Sequence, residues 1–322
     1  MTKPLRVLLH NDETAGLARI LATRFPETRI AECNSYAALP EAMAQHRPDV
    51  VYTVRFAGTP GFPHDALFGS NGPSWIANGG AGTDHFGHWD KRKVTVTNAA
   101  GVAAEMMAEY VMGGFLHFTL DVPGLEADKA ARQWRARTVR PLKGKTLLII
   151  GLGHTGRAIA ARAKAFGMTV VGTRANPAKM KNVDEVHAAK TLPSLLPRAD
   201  FIAISTPLTP GTRGCLGEKE VEVMKSGVIL ADVSRGGVVE QSALVAGLKN
   251  GKIGAAVLDV FEEEPLPADN ALWGLPNVLI SPHCSSVYAG WEQRSFELFL
   301  RNLERFMQGE ALVNQVDPRR GY

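Results

Sequence analysis

"TLLIIGLGHTGRAIAARAKAFGM", residues 146–168, decides the fold. Its first part, "TLLII", is apolar without alternation, as in a strand buried on both faces. The strand runs directly into Gly151, Gly153 and Gly156 at G-x-G-x-x-G spacing, and "RAIAARAKAF" follows with apolar residues at helical intervals. Strand, glycine turn and helix in that order open a dinucleotide-binding βαβ unit. Gly151 permits the tight turn, Gly153 lets a pyrophosphate approach the backbone, and Gly156 lets helix and strand pack closely. His154 and Thr155 fall at the helix N-terminus, where unpaired N–H groups and the positive end of the dipole face phosphate.

The next strand, "VVGTR" (170–174), should end in an acid if its partner were the free ribose hydroxyls of NAD. It ends instead in Thr173 and Arg174, and no acid occurs between Met168 and Lys181. An aspartate there would repel a 2′-phosphate, whereas an arginine pairs with it through a planar fork of donors. One charge-assisted contact contributes about 1.5–3 kcal/mol, a roughly ten- to hundredfold preference. Thr173, Asn176 and Lys179 add hydrogen bonds or charge. The stretch therefore favours NADP(H), with NAD(H) possible.

Outward from this unit the βα alternation continues in both directions. Downstream come "TVVGT", "FIAIST", "VILADVS", "AAVLDV" and "VLISPH"; upstream come "LRVLLH" (5–10), "TRIAEC" (28–33), "DVVYTVRF" (49–56), "SWIANGGAGTDHF" (74–86), a strand running into a glycine-rich turn, and "VTVTNAAG" (94–101), with helical spacing between the first ones. The pattern predicts two doubly wound parallel-sheet (Rossmann-like) α/β domains with an interdomain cleft. Residues 1–100 plus 288–322 would form a flavodoxin-like substrate domain, and 101–287 the dinucleotide-binding domain. A long helical stretch from about Ala103 leads to a linker around Trp134. The closing segment, "AGWEQRSFELFLRNLERFMQGE", predicts a long helix with Phe296, Phe299, Leu300, Leu303 and Phe306 on one packing stripe.

Composition narrows the class. Among 322 residues, 45% are hydrophobic and 21% charged, as in an ordinary globular protein. A net charge of +4 from 36 basic and 32 acidic residues carries no nucleic-acid signature, and "RQWRARTVRPLKGK" (132–145) reads as a solvated linker. Cys33, Cys215 and Cys284 are an odd number without metal-ligand spacing, which suits a reducing compartment and predicts no metal. No signal peptide is visible, and the most apolar long segment, "MMAEYVMGGFLHFTL" (106–120), is too short to span a bilayer and carries Glu109 and His117. The expected location is the cytoplasm.

Strand ends are where ligands sit in such sheets. "ILADVSRGGVVEQSAL" puts Arg235 just after one strand, "AAVLDVFEEEPLP" puts Asp259 and Glu264 after another, and "VLISPHCSS" puts His283 after a third. An arginine can hold a carboxylate bidentately, a histidine can exchange a proton near neutral pH, and a carboxylate can favour that histidine's charged form and fix its tautomer.

With these blocks in place the chain resembles the D-isomer-specific 2-hydroxyacid dehydrogenases. The resemblance runs through "NGGAGTDH" (78–85), "NAAGVAAEMMAEYV" (98–111), "GLGHTGRAIAARAKAFGM" (151–168), "STPLTPGTRGCLG" (205–217), "SRGGVVEQSAL" (234–244), "LDVFEEEPLP" (258–267) and "SPHCSS" (281–286). It implies hydride transfer between a nicotinamide and a small 2-keto or 2-hydroxy acid. Arg235 would bind the substrate carboxylate and polarise its carbonyl, His283 would be the general acid in reduction, and Glu264 its partner. Ala81 and Gly82 would offer backbone N–H groups to the carboxylate. Asp259 would hold the nicotinamide carboxamide, and Thr206 and Pro207 would flank the adenosine.

Arg174 points to the NADP-using branch that resembles glyoxylate and hydroxypyruvate reductases. Cys284 and Ser285 depart from the apolar residue and alanine more frequent in relatives, and hydride transfer requires no nucleophile from Cys284. "MMAEYVMGGFLHF" resembles the helix through which family members dimerise, so a homodimer is expected. Arg55, Phe56 and Trp75 lie near strand ends or turns of the first domain, and Trp134 and Trp291 border the cleft or a subunit interface, or else all five are packing or surface residues. Two other readings are a phosphite-type dehydrogenase and a dinucleotide-sensing binding protein with little turnover.

Overall fold

The apolar runs pair in parallel throughout both sheets of the computed structural model, which describes residues 3–54, 56 and 61–321. The chain divides into two compact units, Met1–Val102 with Ala289–Tyr322, and Ala103–Tyr288.

The first unit holds strands β1 (Arg6–His10), β2 (Arg29–Cys33), β3 (Val50–Thr53), β4 (Trp75–Asn78) and β5 (Thr95–Thr97), ordered β2-β1-β3-β4-β5. Helices α1 (Ala15–Arg24), α2 (Leu39–His46) and α3 (His64–Phe68) connect them. The order reverses at β1, as in the flavodoxin-like doubly wound plan. One face of this sheet packs on Leu17 and Leu21 of α1 and on Phe296, Phe299, Leu300 and Leu303; the other packs on Leu39, Met43 and Leu67.

The second unit begins with α4 (Ala104–Thr119) and α5 (Val122–Ala130). Strands β6 (Thr146–Ile150), β7 (Thr169–Arg174), β8 (Glu185–Ala188), β9 (Phe201–Ile204), β10 (Val228–Asp232), β11 (Ile253–Leu258) and β12 (Val278–Ile280) form a sheet ordered β12-β11-β10-β9-β6-β7-β8. Its helices are α6 (His154–Ala165), α7 (Leu192–Leu195), α8 (Glu218–Val223) and α9 (Gln241–Lys249), and α10 (Trp291–Met307) returns to the first unit. Strand β6 shows why its sequence does not alternate. Leu147 and Ile149 enter the core beneath α4 and α6, while Leu148 and Ile150 enter the opposite core beneath α7, α8 and α9. Gly114 lets α4 lie close on β11: a Cβ there would come within 2.6 Å of the Val257 methyls.

One expectation needs correction, and two features add to what the sequence shows. The long helix expected from Ala103 is two helices, because Asp121 adopts φ +54° and caps α5 by accepting from Gly124 N. Strand β8 was not anticipated; it is an edge strand, half-buried throughout, whose polar "EVHA" carries no apolar run. Trp75 opens β4 in the core, fully buried, its indole donating to Thr97 Oγ1 at 2.9 Å, so it stands at the strand end opposite the one where ligands are sought. The stripe expected on α10 is present, with Phe296, Phe299, Leu300 and Leu303 buried and Phe306 packed against them. Among the described residues no helix is long and apolar enough to cross a membrane.

Candidate active site

The order of the seven-stranded sheet reverses between β6 and β9, so a crevice opens there at the carboxyl ends of the strands. Both edges of that crevice carry expected residues. Gly151 adopts φ +101°, and a Cβ on it would lie 2.8 Å from Thr206 N. Ser205 Oγ donates to Gly151 O at 2.8 Å, tying the loop after β9 to the glycine turn. A Cβ on Gly156 would strike Gly151 O at 2.1 Å, whereas one on Gly153 would meet nothing within 4 Å. Two of the glycines therefore serve internal packing, and the third leaves open approach to the backbone. Helix α6 has Gly153 as its N-cap and no side-chain cap, so its first N–H groups face outward for an anion. This cradle fits a pyrophosphate. Pro207 O accepts from Thr212 Oγ1 at 2.6 Å, which closes the loop beyond Thr206.

His154 is the first residue of α6, and its Nδ1 lies 3.2 Å from Arg157 Nη2. Burial, then the neighbouring Arg157 charge, push its pKa down. Thr155 Oγ1 turns to Met107 Sδ. Thr173 is buried, and its carbonyl accepts from both Gly151 N and Leu152 N. Its carbonyl thereby holds the glycine turn in place. Arg174 ends β7 half-buried; its Nη1 lies 3.5 Å from Met180 Sδ, a weak acceptor, and it forms no ion pair among the described residues. Asn176 and Lys179 are exposed beside it.

Strands β10, β11 and β12 are parallel neighbours, so the loops at their carboxyl ends share one edge. Arg235 follows β10, with Nη1 donating to Ser234 O at 2.7 Å. The turn behind it presses on the next loop: a Cβ on Gly236 would fall 1.7 Å from Phe261 O. Phe261 N in turn donates to Glu264 Oε1 at 3.0 Å, and Glu264 Oε2 lies 2.8 Å from His283 Nδ1. The carboxylate is thus aimed by the backbone, and it fixes the imidazole's Nδ1–H toward itself. Nε2 is left for chemistry. His283 and Glu264 side chains are 33% and 27% exposed, accessible enough to exchange protons with a ligand.

Residues 112–285 match the model of the D-isomer specific 2-hydroxyacid dehydrogenase, NAD binding domain. The chain belongs to this family. It is 37% identical over 239 residues to a glyoxylate reductase of Korarchaeum cryptofilum, covering 70% of each chain. A D-isomer specific 2-hydroxyacid dehydrogenase family protein of Aeromonas salmonicida superposes with a TM-score of 0.86 at 32% identity, covering 98% of this chain and 99% of that one. A D-isomer specific 2-hydroxyacid dehydrogenase of Xanthobacter autotrophicus, solved with NADPH and MES, gives 0.83 at 28% identity over 98% and 99%. Against the D-3-phosphoglycerate dehydrogenase of Methanocaldococcus jannaschii the match is 35% identical and spans 70% of this chain but 44% of that protein.

In this 2-hydroxyacid dehydrogenase the expected carboxylate turn lies in the first unit. Asn78 Nδ2 donates to Gly80 O and Gly82 O at 3.0 and 2.7 Å, and Asn98 Nδ2 donates to Ala81 O at 2.6 Å. In a trans peptide the carbonyl and the following N–H point opposite ways. Drawing the carbonyls of Gly80 and Ala81 inward therefore turns the amides of Ala81 and Gly82 outward. Phe56 stacks on Tyr36 with ring centroids 4.7 Å apart, and Arg55 lies outside the described residues. Trp134 stands fully exposed in the stretch after α5, and Trp291 opens α10.

Two buried aspartates behind the edge that carries Arg235, Glu264 and His283 hold more contacts than sequence reasoning assigned. Asp259, expected to hold the nicotinamide carboxamide, is 1% exposed. Its carboxylate already accepts from Ser281 Oγ, Cys284 N, Ser285 N and Ser285 Oγ. Asp232 at the end of β10 accepts from Ser234 N and Ser234 Oγ at 2.9 and 2.5 Å. Burial first, and the Asp259 charge beyond its serine partners, push its pKa up to about 7. Sequence reasoning passed over Asp232, Ser281 and Tyr110; for Asp232 and Ser281 the signal available was a polar residue closing an otherwise apolar strand, and for Tyr110, inside helix α4, there was none.

Proposed function

We propose that this dehydrogenase reduces small 2-keto acids of the glyoxylate or hydroxypyruvate type to D-2-hydroxy acids, with NADPH preferred over NADH. The carrying observation is the Glu264–His283 pair at 2.8 Å, held on the same sheet edge as the Arg235 turn. A dihydronicotinamide, once bound, would supply the hydride. Arg235 engages the substrate carboxylate through its planar fork and draws charge from the carbonyl. His283, protonated, gives the Nε2 proton to the carbonyl oxygen as the hydride reaches the carbonyl carbon, and Glu264 balances the imidazolium. The outward amides of Ala81 and Gly82, within the first unit, are donors suited to a carboxylate.

Gly151, Gly153, Gly156, His154 and Thr155 would hold the pyrophosphate, with Thr206 and Pro207 beside the adenosine. Arg174, with no acid at the end of β7, is the reason for preferring the 2′-phosphate; the NADPH bound in the Xanthobacter autotrophicus protein is consistent with it. Asp259 acts chiefly through the loop it anchors, and its contact with the carboxamide is secondary. Three unpaired cysteines favour a cytoplasmic setting. Exposed Trp134, Leu120 and Leu125 favour a homodimer, since large apolar groups in water are usually covered by a partner.

The test is NADPH oxidation with glyoxylate, hydroxypyruvate and pyruvate, and NADP reduction with phosphite, with the product's handedness determined. Turnover of the 2-keto acids to the D-product supports the proposal. Turnover of phosphite alone, or dinucleotide binding without turnover, overturns it.

A further inference from the structure

His283 sits in a left-handed backbone conformation, φ +51°, which is strained for a residue with a Cβ. Such a conformation persists where the surroundings over-determine it. Here the surroundings are one hydrogen-bonded network reaching from α4 to the loop after β12. Tyr110 Oη lies 2.5 Å from Ser281 Oγ, and Ser281 Oγ lies 2.5 Å from Asp259 Oδ1. Beyond His283, Cys284 N donates to Asp259 Oδ1 at 2.8 Å and Ser285 Oγ donates to Oδ2 at 2.5 Å. The loop is therefore fastened to one carboxylate on both sides of the histidine.

The direction of each bond follows from the hydrogens available. Asp259 can only accept when ionised, so the single Ser281 hydroxyl hydrogen points to it. Tyr110 must then be the donor to Ser281 Oγ. Burial holds the Tyr110 phenol up at about 12, so it keeps that hydrogen across the working range. The chain of donors runs one way, from Tyr110 through Ser281 to Asp259, and each bond polarises the next.

We propose that Tyr110 and Ser285 are positioning residues for the reduction, acting through Ser281 and Asp259 to hold His283 against Glu264. The inference rests on His283 being the proton donor. Neither Tyr110 nor Ser285 is placed against substrate or cofactor. The titratable groups around the loop are Glu264 and Asp259 after β11, Tyr110 on α4, and Cys284, whose thiol burial and the Asp259 charge push up.

The test compares wild type, Ser285→Ala, Tyr110→Phe and Glu264→Gln in kcat, in KM for 2-keto acid and NADPH, in the pH profile of reduction, and in Tm. The network predicts that Ser285→Ala and Tyr110→Phe each lower kcat by about 3–10-fold, with KM for NADPH unchanged. It also predicts that the alkaline limb moves down, in the direction Glu264→Gln moves it, because a loosened imidazole loses its carboxylate. Should Ser285→Ala not fold, Tyr110→Phe removes only a hydroxyl and decides the matter alone. A fall in Tm with kcat and limb unchanged makes the network merely structural and overturns the proposal. If Glu264→Gln moves the limb and the network variants do not, the positioning role falls alone. If Glu264→Gln leaves the limb in place, the proton-donor reading falls and takes this inference with it.

Discussion

His283 Nδ1 and Glu264 Oε2 stand 2.8 Å apart although 19 positions separate the residues in the chain. Adjacent parallel strands bring them together, and the other carboxylate oxygen is fixed by Phe261 N. The carboxylate can neither rotate freely nor approach from another side, so its charge acts on the imidazole in one geometry. Removing the charge while keeping the shape isolates its effect. Glu264→Gln should lower kcat by roughly 10–100-fold and move the alkaline limb of the reduction profile down. The pH dependence of kcat/KM for a 2-keto acid, measured on both proteins, checks this.

Arg235 offers a planar fork on a turn that Gly236 presses against Phe261 O. Arg235→Lys keeps the positive charge and removes the bidentate geometry. The expected outcome is a fall in kcat/KM for the 2-keto acid of about 10–100-fold, with dinucleotide affinity unchanged. Steady-state kinetics beside cofactor titration by fluorescence separates the two effects.

Arg174 closes β7 with no carboxylate partner among the described residues. Arg174→Ala should weaken NADPH binding about 10–100-fold and leave NADH binding within about twofold. Calorimetric titration with each dinucleotide reads this without turnover. Equal losses for both would place Arg174 away from the 2′-phosphate.

The glycine turn was legible because its chemistry is local: spacing alone places Gly151, Gly153 and Gly156 between a buried strand and a helix. Arg235, Glu264 and His283 were legible as polar residues just past apolar strands, and parallel pairing sets strand ends on one edge. What escaped needed tertiary register. Strand β8 gains its identity only by pairing with β7, since "EVHA" has no apolar face of its own. Asp121 breaks a helical pattern that hydropathy carries straight through. The fastening of Ser281 and Ser285 to Asp259 joins positions that no linear spacing connects.

Asp232 supplies a stability test. Burial pushes its carboxyl up from the ordinary 3.8 to about 7 in the fold. Between these values the folded state binds more protons than the unfolded, so this group's contribution makes stability fall as pH rises through that window. Asparagine keeps an oxygen for the Ser234 N–H and hydroxyl while removing the buried charge. Asp232→Asn should therefore raise Tm at pH 8 by about 2–5 °C, with the gain shrinking toward pH 5. Equal or lower Tm at both values would contradict the assignment.

The most direct test of the account is the initial rate of glyoxylate and hydroxypyruvate reduction by the wild-type protein with NADPH and, separately, with NADH. The account predicts reduction of at least one of the two acids with kcat/KM for NADPH exceeding that for NADH by about tenfold or more. Equal rates or a preference for NADH would contradict the reading of Arg174, and no reduction with either cofactor would contradict the proposed substrate class.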